Sequence, residues 1–258
     1  MHMLFVDTHT HLYIPEFGED GDDAIRRAAA AGVTRLVFPD VNSETRSAME
    51  AMAARFPGTV FQCAGLHPTE LTEDWKSELD KVYEAGRKNG IVAIGETGMD
   101  CHWSRETVKE QETVFRGQIE LALTKDLPVI VHSRDATELT LKILSDYKGR
   151  GIRGVFHAYG GSYETFLEIC RLGDWYVGIG GVITFKNASI SETIKKIPLD
   201  RILTETDSPW LSPVPFRGKR NESSYIPYIA EKIALQKGIT VEEVADITTQ
   251  NAKSLFRI

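Results

Sequence analysis

The sequence predicts an α/β fold: a (β/α)8 TIM barrel with an additional C-terminal helix, a single domain over residues 1–258. Three observations predict it. Short, nearly continuous apolar runs alternate with helix-like segments along the whole chain, and strands read this way when both faces of a parallel sheet are covered. The length of 258 residues matches the roughly 250 that such a barrel needs. No linker, low-complexity stretch or composition break divides the chain. A doubly wound open sheet is the competing arrangement, but it would gather functional residues at one switch point rather than around a ring.

Phe5-Val6-Asp7 opens the first strand and runs into Thr8-His9-Thr10-His11. Alternate strand residues share a face, so Asp7, His9 and His11 are expected to project together. Asp22 and Asp23, a run of alanines and then Gly32 mark the start, body and stop of the first helix. Arg35 to Pro39 reads as the second strand, followed by a helix that Ser43 is expected to cap, running to about Phe56. The third strand, Val60 to Gly65, ends in Leu66-His67-Pro68, and a Glu- and Lys-rich helix spans roughly 72–89.

Ile91 to Glu96 is the fourth strand, leading into Thr97-Gly98-Met99-Asp100 and a helix over about 105–125. Pro128 to Arg134 is the fifth and contains His132; a helix over 136–147 follows. The sixth strand reaches His157 from Gly154, before a helix over 162–172. Trp175 to Gly180 is the seventh, with a helix near 189–197. The eighth starts at Arg201 and runs to Glu205-Thr206-Asp207-Ser208-Pro209. In the tail, Thr240 and Glu243 have the spacing of a capping box before one more helix.

Composition narrows the function classes. Apolar content is 42% and charged content 26%, ordinary for a globular protein with a real core. A net charge of −7 argues against a broad basic surface for long duplexes, while leaving room for a local basic patch. Cys63, Cys101 and Cys170 are odd in number and lack Cys-x-x-Cys spacing, so a disulfide framework is not expected. No apolar run approaches a membrane span, and Leu4-Phe5-Val6 follows the first residues without a signal-peptide pattern. A cytoplasmic protein is expected.

The seven histidines carry the chemistry. All except His2 fall at or just past the carboxyl end of an expected strand: His9, His11, His67, His102, His132 and His157. In a barrel of this kind that end is where active sites are built. A His-x-His pair alone is more often a polar strand end than a ligand pair. Here Glu96 and Asp207 join it, each directly after an apolar run where a buried charge needs a partner. His9, His11, His132 and His157 with Glu96 and Asp207 suit two divalent cations such as zinc, manganese or iron, with magnesium also open. Glu96, with two oxygens, is the natural bridge, and Asp207 the natural general base for a water activated between the ions.

Cationic and aromatic residues flank this set. Arg134 stands two residues past His132, and Arg217, Lys219 and Arg220 share the loop beyond Asp207, as phosphate contacts would. Tyr159 and Trp210 could stack a nucleobase. The glycines at 160–161 and 178–181 do not have dinucleotide-fingerprint spacing.

Together these motifs resemble the TatD family of metal-dependent deoxyribonucleases, within the amidohydrolase-like barrels. The likeness runs in order through Asp7-Thr8-His9-Thr10-His11, Gly65-Leu66-His67-Pro68, Gly95-Glu96-Thr97-Gly98-Met99-Asp100, Val131-His132-Ser133-Arg134-Asp135-Ala136, Phe156-His157, Glu205-Thr206-Asp207-Ser208-Pro209 and Arg217-Gly218-Lys219-Arg220-Asn221-Glu222. It implies a (β/α)8 barrel with metal held by His9, His11, Glu96, His132, His157 and Asp207. It also implies phosphodiester hydrolysis on DNA, with trimming of single strands from the 3′ end. His67, Arg134, Tyr159, Lys219 and Arg220 are the expected substrate contacts. The chain departs from the family's usual residues at Thr97, Cys101, Ala158 to Gly161 and Phe216, all flanking the pocket.

The competing function is hydrolysis of a carboxylic ester or amide, including D-aminoacyl esters on tRNA, since the same activated water attacks carbon or phosphorus and barrels host many chemistries. A metal-binding module without catalysis finds no support, because no expected ligand is missing.

Overall fold

The computed structural model describes residues 3–258; Met1 and His2 lie outside the described residues. Eight strands form one parallel sheet in sequential order: β1 (Phe5–Asp7), β2 (Val33–Phe38), β3 (Val60–Ala64), β4 (Ile91–Asp100), β5 (Val129–Arg134), β6 (Arg153–Phe156), β7 (Asp174–Ile179) and β8 (Ile202–Thr204). The seam between β8 and β1 is closed by Thr8 N donating to Thr204 O (3.1 Å), and the Thr204 hydroxyl donating to Val6 O (3.0 Å). Asp207 N to His9 O and His11 N to Ser208 O, both 2.9 Å, continue that seam upward. The sheet is a barrel.

Around it lie α1 (Gly21–Ala30), α2 (Ser43–Arg55), α3 (Trp75–Gly86), α4 (Val108–Lys125), α5 (Thr137–Ser145), α6 (Tyr163–Cys170), α7 (Ile190–Thr193), α8 (Ile226–Lys237) and α9 (Val241–Phe256). Two expectations need correction. Asn42, not Ser43, caps α2: its side chain accepts from Glu44 N and Thr45 N, while the Ser43 hydroxyl is drawn away to Glu78. The helix expected near 189–197 shrinks to the single turn of α7. The tail holds two helices: α8 packs as the barrel's eighth, and α9 is the additional one, opened by the Thr240–Glu243 capping box. No helix among the described residues is long and apolar enough to cross a membrane.

One side chain from each strand builds the barrel interior: Val6, Val37, Cys63, Ala93, Ile130, Val155, Tyr176 and Leu203, packed with Ala252, Leu255 and Phe256 of α9. The C-terminal helix thus plugs one end of the barrel and leaves the carboxyl ends of the strands open. The larger core lies between sheet and helices. Strand alternation carries the interior layer upward to function: Ile130 leads to His132, Val155 to His157, and Leu203 to Glu205, while Asp207 follows in a left-handed turn beyond β8.

β1 and β4 break that rule. β1 stops at Asp7, and the chain beyond it bends, so Asp7 does not project with His9 and His11 as expected. Its carboxylate instead accepts from Thr206 N (3.0 Å) and the Thr206 hydroxyl (2.6 Å), bracing the seam. In β4 the register with β5 slips between Ile94 and Thr97, which turns Glu96 inward from the face that Ile94 occupies.

Candidate functional site

Glu96 stands at the middle of the open barrel end, buried to 3% exposure. Its Oε2 lies 3.1 Å from His9 Nε2 and 3.7 Å from His11 Nε2. Its Oε1 lies 2.9 Å from His132 Nδ1 and 2.8 Å from His157 Nε2. Asp207 completes the first group, with Oδ1 3.7 Å from both His9 Nε2 and His11 Nε2. The structure therefore brings His9, His11, Glu96, His132, His157 and Asp207 into one cluster with Glu96 between two halves.

The far nitrogens of the rings decide what the near ones can do. Tyr13 gives its one O–H to Pro39 O, so at 3.2 Å it can only accept from His11 Nδ1. That leaves His11 Nε2 bare and aimed at the centre. Asp100 Oδ2, 2.9 Å from His132 Nε2, takes that ring's N–H and leaves Nδ1 bare in the same way. His67 is opposite: its Nδ1 accepts from Thr69 N (3.2 Å), so Nε2 carries the proton, 3.2 Å from His132 Nδ1 and 3.3 Å from Glu96 Oε1. His67 offers a donor rather than a lone pair.

Burial and charge act on the cluster together. Burial raises the Glu96 carboxyl, yet His157, His67 and His9 and the His132 hydrogen bond outweigh it and hold it well below the usual range. Burial, reinforced by His157, lowers His9 to about 4, and burial with His9 lowers His11 well below its ordinary value; both rings are neutral. His157 is resisted by burial but pushed up to about 10 by Glu96, Glu205 and Asp207. Burial pushes Asp207 up to about 7.

The residues fit cations. Nε2 of His9 and of His11 face each other at 3.1 Å, and His132 Nδ1 faces His157 Nε2 at 3.3 Å. With lone pairs turned inward, each pair would sit at the separation of ligands about 2.0–2.1 Å from a tetrahedral zinc, and a cation there would take the place of the proton that Glu96, Glu205 and Asp207 favour on His157. His9 Nδ1 and His157 Nδ1 are buried without a hydrogen-bond partner.

Two functional carboxylates lie outside the set expected from the sequence. Asp100 sits four residues past Glu96, on the same face by strand period, and orients His132. Glu205, two before Asp207, is fully buried; its Oε1 accepts from Ala158 N and lies 3.8 Å from His157 Nδ1. Gly178 makes room for it, since a Cβ there would come within 1.9 Å of its carboxylate. Even spacing along a strand is the available signal in both cases.

The expected substrate contacts divide. Arg134 is exposed beside the mouth, its guanidinium over the Trp103 ring at 5.4 Å. Tyr159 is turned down, its hydroxyl donating to Ser162 O (2.6 Å), and it borders a cavity of about 40 Å³ next to Asp207. A cleft of about 750 Å³ opens on the other side, lined by Phe185, Trp210, Arg217 and Lys219 among others. Trp210 joins cleft to centre, its ring 5.4 Å from that of His11. Arg220 borders the same cleft but is held by Asp20, which offsets its charge. His102 lies out at the rim, paired with Asp135 at 2.7 Å, and takes no part in the cluster.

Residues 6–257 match the family described as TatD related DNase. A Bacillus subtilis protein named uncharacterized metal-dependent hydrolase YabD is 42% identical over 257 residues, covering 99% of this chain and 100% of that protein. The 3'-5' ssDNA/RNA exonuclease TatD of Salmonella typhimurium is 31% identical over 258 residues, covering 98% of each. The crystal structure of YJJV, a TatD homolog from Escherichia coli K12, aligns at TM-score 0.90 and 28% identity over 100% of both chains. Likeness of this extent in sequence and in fold decides the family: the chain belongs to the TatD-related DNases and is a metal-dependent hydrolase.

Proposed function

We propose that this hydrolase cleaves phosphodiester bonds of DNA, removing nucleotides from the 3′ end of single strands, with two divalent cations at the barrel mouth. The division of Glu96, with one oxygen toward His9 and His11 and the other toward His132 and His157, carries the reading. His9, His11 and Asp207 would hold one cation and His132 and His157 the other, with Glu96 placed to serve each; zinc, manganese and magnesium are the candidates. Such a pair, when bound, activates water and stabilises the attacking and leaving oxygens of an in-line displacement.

The chain's own residues supply the rest. Asp207, with 15% of its side chain exposed, reaches the solvent side of the centre and takes the proton of the attacking water. Asp100 and Tyr13 hold the His132 and His11 rings in the tautomers that leave their inner nitrogens bare. His67 directs its Nε2–H toward the phosphate oxygen that approaches Glu96. Trp210, 47% exposed, stacks a base, while Arg217 and Lys219 meet phosphate. The cleft of about 750 Å³ on the Trp210 side has room for a nucleotide. The name of the Salmonella relative, a 3'-5' exonuclease, supports the same reading. The free thiols Cys63, Cys101 and Cys170 suit a reducing cytoplasm.

The test is cleavage of 3′-labelled and 5′-labelled single-stranded DNA with magnesium, manganese or zinc, with EDTA and Asp207→Asn as controls. Metal-dependent loss from the 3′ end, absent in both controls, is the expected result. Bound metal without DNA cleavage, together with turnover of carboxylic esters or aminoacyl-tRNA, would select the ester and amide reading instead.

A further inference from the structure

Resting on the nuclease reading, we infer that Trp103 and Arg134 form a second nucleotide-holding platform, across the barrel mouth from Trp210, that grips the single strand away from the cleaved bond. β4 and β8 stand four places apart in a ring of eight strands, so the loops that follow them face each other over the metal cluster. Trp210, Arg217 and Lys219 belong to the β8 loop; Trp103 follows β4, and Arg134 ends the neighbouring β5.

Trp103 is 75% exposed, so packing does not account for it. Its indole carries the Arg134 guanidinium at 5.4 Å, and His102 on its own loop is its one aromatic neighbour among the described residues, met edge-on. Arg134 makes no ion pair among the described residues, because the adjacent Asp135 is taken by His102. Its charge is therefore available to a ligand.

The platform is also fixed relative to the centre. Cys101 N donates to Arg134 O (2.9 Å), joining the two loops. Gln111 clamps the backbone of Asp100, accepting from its N–H at 2.8 Å and donating to its carbonyl at 2.9 Å. Asp100 in turn holds His132. The opposite rim repeats the chemistry, with Arg217 over Phe185 at 4.1 Å beside exposed Trp210. An aromatic face next to an uncompensated cation suits a base and its phosphate, and only an unpaired strand offers a free base face.

The platform predicts a length effect. With the intact, metal-loaded protein, KM should fall as 3′-labelled oligonucleotides are lengthened from two to six nucleotides, once the strand spans the mouth. Trp103→Ala and Arg134→Gln should remove that fall, a loss of about tenfold for the longer substrates, and Trp103→Phe should restore most of it. The same dependence on length in Trp103→Ala as in the parent would overturn the platform while leaving the nuclease standing. A parent protein that cleaves none of the oligonucleotides but turns over carboxylic esters would remove the nuclease reading, and the platform with it.

Discussion

Oε1 of Glu96 lies 2.8 Å from Nε2 of His157, while its other oxygen is turned to His9. One side chain thus belongs to both halves of the cluster, within 3.1 Å of a ring nitrogen in each, whereas Glu205, which also neighbours His9 and His157, comes only to 3.8 Å of His157 Nδ1. Glu96→Ala should therefore lower activity by more than about 100-fold, beyond the 10–100-fold typical of groups that merely orient ligands. Elemental analysis of dialysed protein should also show less bound metal than in the parent. Full metal content with full activity would remove Glu96 from the centre.

Asp100 touches His132 on the side away from Glu96, 2.9 Å from its Nε2. Asp100→Ala frees that ring to rotate and to move its proton to the nitrogen that faces the centre. Metal affinity should weaken by about 10–100-fold, read by competition with a chelator of known affinity. The fold should hold, because the Gln111 clamp on this segment uses the Asp100 backbone rather than its side chain. Unchanged affinity would mean that His132 is oriented by packing alone.

How much of the site is legible in the sequence depends on strand regularity. β5 keeps strict alternation and the chain leaving β6 continues it by one residue, so the apolar interior residues Ile130 and Val155 announce His132 and His157. Asp207 lies three residues past β8 with a left-handed φ of 57°, so it is legible only as a charge after an apolar run. Asp7 departs from expectation because β1 ends just where alternation would have to continue. Glu96 is legible from chemistry, as a charge after an apolar run, although simple alternation would send it outward. Arg220 shows the opposite limit: a basic loop is visible in sequence, but its neutralising partner, Asp20, is two hundred residues away. The capping of α2 by Asn42 rather than Ser43 turns on a similarly remote acid, Glu78.

Arg46 and Asp40 form a buried pair below the centre, with Nε 2.7 Å from Oδ2. Burial pushes the Asp40 carboxyl up to about 6 even with Arg46 opposing it. The Asp40 backbone brackets Glu96, accepting from Glu96 N at 3.0 Å and donating to Gly95 O at 2.9 Å. Arg46→Ala strands the carboxylate and should cost about 3–5 kcal/mol of stability, measured by urea unfolding. A loss below about 1 kcal/mol would show that the pair is solvated in solution.

Lys219 and Arg220 are adjacent but differ in charge available to a ligand. Lys219 has no acidic partner among the described residues, whereas Arg220 is paired to Asp20 and lies over Phe17 at 4.3 Å. Lys219→Ala should reduce the salt slope of kcat/KM on single-stranded DNA by about 0.7, the value for one phosphate that is no longer neutralised. Arg220→Ala should change that slope by much less. Equal slopes for the parent and Lys219→Ala would take Lys219 out of the phosphate path.

Asp20 ties the cleft loop to α1, accepting from the two terminal guanidinium nitrogens of Arg27 at 2.9 Å and from Arg220, while Arg27 also holds Glu222. The Arg27 hydrogen bonds, then that of Arg220, hold the Asp20 carboxyl down at about 2, below its ordinary 3.8. A depressed carboxyl stabilises the folded state above its unfolded value, and that stabilisation is lost as pH falls through the folded one. The melting-temperature gap between the parent and Asp20→Asn should therefore be present at pH 5 and close between about pH 4 and 2. Because the network is solvent-exposed, the gap should be small, about 1 kcal/mol or less, and should shrink further in high salt. A gap that persists unchanged at pH 2 would assign the effect to packing of the loop and not to the charge on Asp20.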